Sequence, residues 1–148
     1  LKLAGKFFVL VVCLLASSAF GQDTQVLEKP NVYVLGEVSF TLQSDFAKTT
    51  SPDIENADAA LCATWELEKD SLNSVLKDFE ESTGEESYAL CYYLPCYYKL
   101  KILTTEGQEG TLSINAASQI TLTIGDTTTF YIQQKPTPYF LMACDCCE

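Results

Sequence analysis

Apolar and polar residues alternate along most of this chain with the two-residue period of half-buried β-strands, and a single stretch keeps a helical period. Val32, Val34, Val38, Phe40 and Leu42 fall on one side of a strand, with Gly36 as a bulge. Ser44–Asp58 is a polar connection in which Pro52 argues against helix just before it. In Ala59–Ser82 the period changes. Leu61, Trp65, Leu72, Val75, Leu76 and Phe79 share one helical face, with Asp58 as start cap and Gly84 just past the end. Thr64–Glu68 also alternates, so its first half reads equally as a strand. From Tyr88 onward every segment reads as β: Tyr88–Leu94, Tyr97–Leu103, Leu112 with Ile114, Ile120–Ile124, Thr127–Gln134 and Tyr139–Cys144. Short turns at Glu106–Gly110, Ala116–Ser118 and Gly125-Asp126 separate several of these runs, which is the pattern of an antiparallel meander.

The first 21 residues have a different character. Lys2 and Lys6 precede the apolar run Phe7–Ala16, and Ala19-Phe20-Gly21 supplies small residues for cleavage, as in a secretory signal peptide. The run is too short to span a bilayer, so residues 1–21 are expected to be removed and no membrane anchor is expected. Residues 22–148 then form one secreted domain. The chain starts at Leu1 inside that leader and stops one residue after a cysteine cluster; either end could be natural, and a truncated reading frame would explain both.

Composition narrows the chemistry. The chain has no histidine, and all nine of its cations are lysine. The commonest acid–base catalyst and metal ligand is therefore missing, and no serine or cysteine has a histidine base. No phosphate loop or calcium-loop pattern occurs, so neither catalysis, nor a cofactor, nor a metal site is expected. The net charge of −11 becomes more negative once Lys2 and Lys6 are lost, and such a field repels nucleic acid and anionic lipid while drawing cations. Eleven acids between Asp53 and Glu86 face only Lys69 and Lys77, the mark of a solvated helix face or loop.

Cys62, Cys91, Cys96, Cys144, Cys146 and Cys147 remain after cleavage, an even number that predicts disulfides in an exported chain. Cys62 is expected to bridge to a C-terminal cysteine, and Cys91 and Cys96 to find partners elsewhere. Five of the eight tyrosines crowd into Tyr88–Tyr98. Tyrosines pointing inward can line an apolar cavity with a few hydroxyl donors. Alternation places Tyr92, Leu94, Tyr98, Leu100, Ile102, Leu112, Ile114, Ile120, Leu122 and Phe130 inside.

The segment Thr111–Tyr131 resembles the mid-barrel hairpin of lipocalins from the saliva of blood-feeding arthropods, and Asn31–Leu35 looks like the first strand of that barrel. The G-x-W signature of typical lipocalins is absent; Ala63-Thr64-Trp65 is its distant stand-in. The resemblance implies a mainly β fold, a meander closing into a lipocalin-like barrel that sequesters a small apolar or amine ligand or blocks an extracellular protein. The alternative architecture is α+β: one long helix packed on an antiparallel sheet, as in cystatin-like inhibitors, serving protein–protein interaction. The Q-x-V-x-G hairpin of those inhibitors is missing.

Overall fold

The computed structural model describes residues 29–52 and 56–144, so the expected signal peptide, Cys146 and Cys147 lie outside the described residues. The fold is mainly β. One antiparallel sheet of eight strands, curled into a half-barrel, carries three short helices. The strands are β1 (Tyr33–Leu35), β2 (Val38–Leu42), β3 (Lys48–Thr50), β4 (Glu80–Ser82), β5 (Cys96–Thr104), β6 (Glu109–Asn115), β7 (Gln119–Ile124) and β8 (Thr127–Ile132). Their order is β1-β2-β5-β6-β7-β8-β4, with β3 also on β5.

The expected single strand Val32–Leu42 is a hairpin. Gly36, at φ +57°, opens a two-residue turn with Glu37, and Leu35 pairs with Val38. A glycine with positive φ at the first loop position matches the twist of paired strands, so the chain reverses where a bulge was expected. β2 and β3 then run along the two halves of β5 as one broken strand. At the break, the Ser44 hydroxyl accepts from the Lys101 N–H at 3.0 Å, and the Gln43 N–H donates to the Lys101 carbonyl at 2.8 Å. Side chain and backbone together keep the ladder satisfied there.

Ala59–Ser82 is not one continuous helix; its last three residues, Glu80–Ser82, join the sheet on β8. It divides into α1 (Asn56–Thr64), an extended Trp65–Glu68, a 3₁₀ turn (Lys69–Ser71), α2 (Leu72–Leu76) and β4. α1 ends where Lys48 Nζ donates to the carbonyls of Cys62 (2.9 Å) and Trp65 (2.6 Å), a cation placed on carbonyls at and just past the helix C-terminus. Past that point the alternation of Trp65 and Leu67 with Glu66 and Glu68 buries the two apolar side chains. The stretch Tyr88–Leu94 also departs from expectation. Thr83 accepts from the Glu86 N–H at 3.0 Å and so caps the start of α3 (Gly84–Leu90), while the Glu86 carboxylate accepts from the Ser82 hydroxyl. Gly84, expected just past the end of a helix, is instead the first residue of one. Tyr139–Cys144, expected as a strand, is irregular.

The core fills the concave face. Leu100, Ile102, Leu112, Ile114, Ile120 and Leu122 from the sheet meet Trp65, Leu67, Leu72, Val75, Leu76, Phe79 and Phe140. Trp65 stands edge-on to Tyr98 (5.3 Å between ring centres), and its indole N–H donates to the Tyr139 carbonyl at 2.8 Å. That bond ties the segment after β8 into the core.

Two disulfides join elements distant in sequence, Cys62–Cys96 and Cys91–Cys144. The expected bridge from Cys62 to the C-terminal cysteines is thereby corrected. β3 pairs Thr50 with Cys96, and α1 follows β3 closely, so Cys62 is carried to Cys96. Cys144 instead reaches Cys91, behind α3. Two disulfides point to an oxidising compartment. Among the described residues no helix is long and apolar enough to cross a membrane.

Candidate functional site

The residues expected to line a pocket fall into two groups. Leu94, Tyr98, Leu100, Ile102, Leu112, Ile114, Ile120 and Leu122 are all buried in the core, where they touch one another and the helix-side residues. Apart from Ile102, which also borders a surface cleft beside Gly110 and Thr123, they form packing between the sheet and the helix-side residues. The Tyr98 hydroxyl, the expected donor to a ligand, accepts from the Leu67 N–H (3.1 Å) and donates to the Leu67 carbonyl (3.3 Å). Its ring stacks on Phe46 at 4.6 Å. Burial raises its pKa above the usual tyrosine value; the Leu67 bond opposes that shift and Glu66 adds to it.

Tyr92 and Phe130 do not point inward. The Gly125-Asp126 turn pairs Ile124 with Thr127, so Ile120 faces Tyr131 and Thr121 faces Phe130. Tyr131 therefore takes the inward place, and Phe130 lies on the outer face with Thr121 and Gln119. The turn length carries this register, and a one-residue shift exchanges the two faces of a strand. Tyr92 lies outside because α3 replaces the strand that alternation predicts.

Those two displaced residues share one groove. Gly84, Tyr88, Cys91, Tyr92, Tyr93, Gln119, Thr121 and Phe130 line one groove of about 650 Å³ on the outer face of β7 and β8. Its tyrosines are open to solvent: Tyr88 is 89% exposed, Tyr92 59% and Tyr93 58%. Gly84 gives the groove its floor, since a Cβ there would lie 3.2 Å from the Phe130 ring. Behind the floor, buried Ser87 accepts a short hydrogen bond from the Gln119 amide.

The wall is rigidly held. The buried Asn115 side chain accepts from the Leu94 N–H at 3.1 Å and donates to the Leu94 carbonyl at 2.6 Å. It thus acts as a strand partner for the segment after α3. Cys91–Cys144 pins the other end of that segment, and Cys144 is held in turn by its N–H to the Gln133 carbonyl (2.9 Å). Tyr92 and Tyr93 sit between these two anchors. Tyr93 has a pKa raised by partial desolvation and by neighbouring Tyr97, against a lowering contact with Asn115.

Chemically the groove offers aromatic faces and phenol hydroxyls, with no nucleophile–base pair among its lining residues. The clustering of tyrosines was legible in the sequence; its place on the outer face was not. The signal for that placement was Thr83-x-x-Glu86, the capping pattern that turns Tyr88 onto a helix. No family model, no curated protein and no solved structure matches the chain.

Proposed function

We propose that this is a secreted, non-enzymatic binding protein of lipocalin-like build that engages an extracellular polypeptide through its outer tyrosine groove. One observation carries this reading. Three solvent-exposed tyrosines share a groove whose wall is fixed at both ends, whereas the inward face of the sheet is filled by side chains. Tyrosines give large contact area at small cost in side-chain entropy, and held in place they are typical anchors of protein interfaces. A small molecule would normally bury most of its surface in its pocket. Walls more than half exposed, as at Tyr88, Tyr92 and Tyr93, suit a polypeptide laid across them better.

Export is supported by the leader-like first 21 residues together with the two disulfides. Lipocalin-like build is supported by the curled antiparallel sheet and by the approach of its first hairpin to β8, where Gly36 packs on Tyr131. The test is affinity capture from extracellular fluid by the wild-type protein and by Tyr88→Ala/Tyr92→Ala side by side. A partner retained by the first and lost by the second is the expected result. Native mass spectrometry against pools of amines and fatty acids provides the contrary outcome: a stoichiometric small-molecule complex that survives the double substitution.

A further inference from the structure

The elements around the groove carry charge of one sign. α3 contributes Glu85 and Glu86, and α3, β4, β7 and β8 together contain no lysine. Glu85 is exposed one turn before Tyr88, and exposed Glu86 is held by the Ser82 hydroxyl at 3.0 Å. Every side chain lining the groove is uncharged. Resting on the reading of the groove as a docking surface, we infer that its occupant is a cationic segment of a protein, with a Lys or Arg side chain laid on the tyrosine faces beside these carboxylates.

Two separate physical effects converge on that chemistry. Aromatic faces carry negative quadrupole charge and attract ammonium and guanidinium groups, most strongly when partly desolvated. The exposed carboxylates of α3 add Coulomb attraction, with no lysine on α3, β4, β7 or β8 to compete for it. At longer range the net charge of −11 draws a basic partner towards the protein. The same charge disfavours the other occupants of such a surface. A second copy would bring an equal negative charge, and an anionic lipid surface would be repelled.

The experiment is a titration of the oxidised full chain, tyrosine rings isotopically labelled, with three ten-residue peptides. They alternate Gly with Arg, Gln or Glu. The Arg peptide is expected to shift the resonances of Tyr88, Tyr92 and Tyr93 saturably and to bind about tenfold more tightly than the Gln peptide. The Glu peptide is expected to leave all three in place. Glu85→Gln should weaken the Arg peptide roughly threefold, and Tyr88→Ala/Tyr92→Ala should remove the site. Trp65 emission checks that both variants fold.

If the Gln peptide binds the same tyrosines as well as the Arg peptide, the docking surface stands and the cationic occupant is wrong. If the Arg peptide binds equally to the double tyrosine variant, its attraction is diffuse charge and the proposal is overturned. If no peptide moves these tyrosines, the docking surface falls as well. Binding of butylguanidine alone as tightly as the Arg peptide assigns the site to free amines and overturns the polypeptide.

Discussion

Tyr131 lies against Gly36: its ring and hydroxyl are 3.1 Å from the point where a Cβ on Gly36 would sit. Gly36 is at the tip of the β1–β2 hairpin and Tyr131 is on β8, elements separated by β5, β6 and β7 in the sheet. The contact therefore spans the curl and draws its two ends together. Burial, and then the carboxylates of Glu81 and Glu37, raise the Tyr131 pKa above the usual tyrosine value.

Gly36→Ala is expected to destabilise the fold by about 1–2 kcal/mol, because a residue with a Cβ is strained at positive φ. The Tyr131 ring must also yield. Urea unfolding followed by the emission of Trp65, the single tryptophan, measures the change. A midpoint equal to wild type would mean that the hairpin tip does not rest on Tyr131.

Much of the sheet was legible because β5, β6 and β7 alternate cleanly and are joined by short turns. Leu100, Leu112 and Leu122 lie on the concave face as the two-residue period requires. The errors have one physical origin: local signals that redirect the chain outweigh hydrophobic pattern. The turn at Gly36-Glu37 makes two strands of one, and the helix cap at Thr83 makes a helix of apparent strand. The candidate site was less legible than the fold. Its residues come from α3, the segment after it and two later strands, and only register and helix direction bring Tyr92 to Phe130.

Peptide mapping without reduction is expected to recover Cys62–Cys96 and Cys91–Cys144. The bridges close loops spanning 34 and 53 residues in sequence. In the chain-entropy model each is worth about 4 kcal/mol. Reduction should therefore lower the urea midpoint strongly, and Cys91→Ala/Cys144→Ala should loosen the groove wall before the core. Recovery of Cys62 joined to Cys144 would contradict the pairing of β3 with β5.

Lys48 tests the end of α1. Lys48→Met keeps the aliphatic stem and removes the donors to Cys62 and Trp65 carbonyls. The expected loss is about 1–2 kcal/mol, since hydrogen bonds from a charged group exceed neutral ones. Lys48→Arg should restore part of it. Equal stability of wild type and the Met variant would show that water serves those carbonyls as well.

Alkaline pH should unfold the protein cooperatively. Tyr98 and Tyr131 have pKa values raised above 10.0 chiefly by burial, and Tyr93 moves the same way. An unfolded tyrosine ionises near pH 10, so above that pH the unfolded chain releases protons that the folded chain retains. The stabilising contribution is complete below pH 10 and is lost as pH rises through the folded values. Absorbance of tyrosinate, recorded with Trp65 emission, should show Tyr98 and Tyr131 ionising only with unfolding. Ionisation of all eight in one step with Trp65 unchanged would contradict the burial of Tyr98.

Asn115 joins the stability of the core to the geometry of the groove. Its amide satisfies both backbone groups of buried Leu94, and its carbonyl oxygen also accepts from the Ala117 N–H at 3.0 Å. Asn115→Ala leaves these groups unpaired away from water, a cost of about 2–4 kcal/mol when more than one buried group loses its partner. Asn115→Asp keeps the acceptor, loses the donor to Leu94 and introduces a charge, so it should be no better than Ala. Amide exchange gives the local test: Leu94 should lose protection in Asn115→Ala well before β5 and β6 do. The groove should respond too, because Tyr92 and Tyr93 would then be held from the Cys91–Cys144 side alone. Their ring resonances should broaden or shift while Tyr88, on α3, keeps its position. If Tyr92 and Tyr93 are unaffected while stability drops, Asn115 serves the core alone and the disulfide suffices to hold the wall.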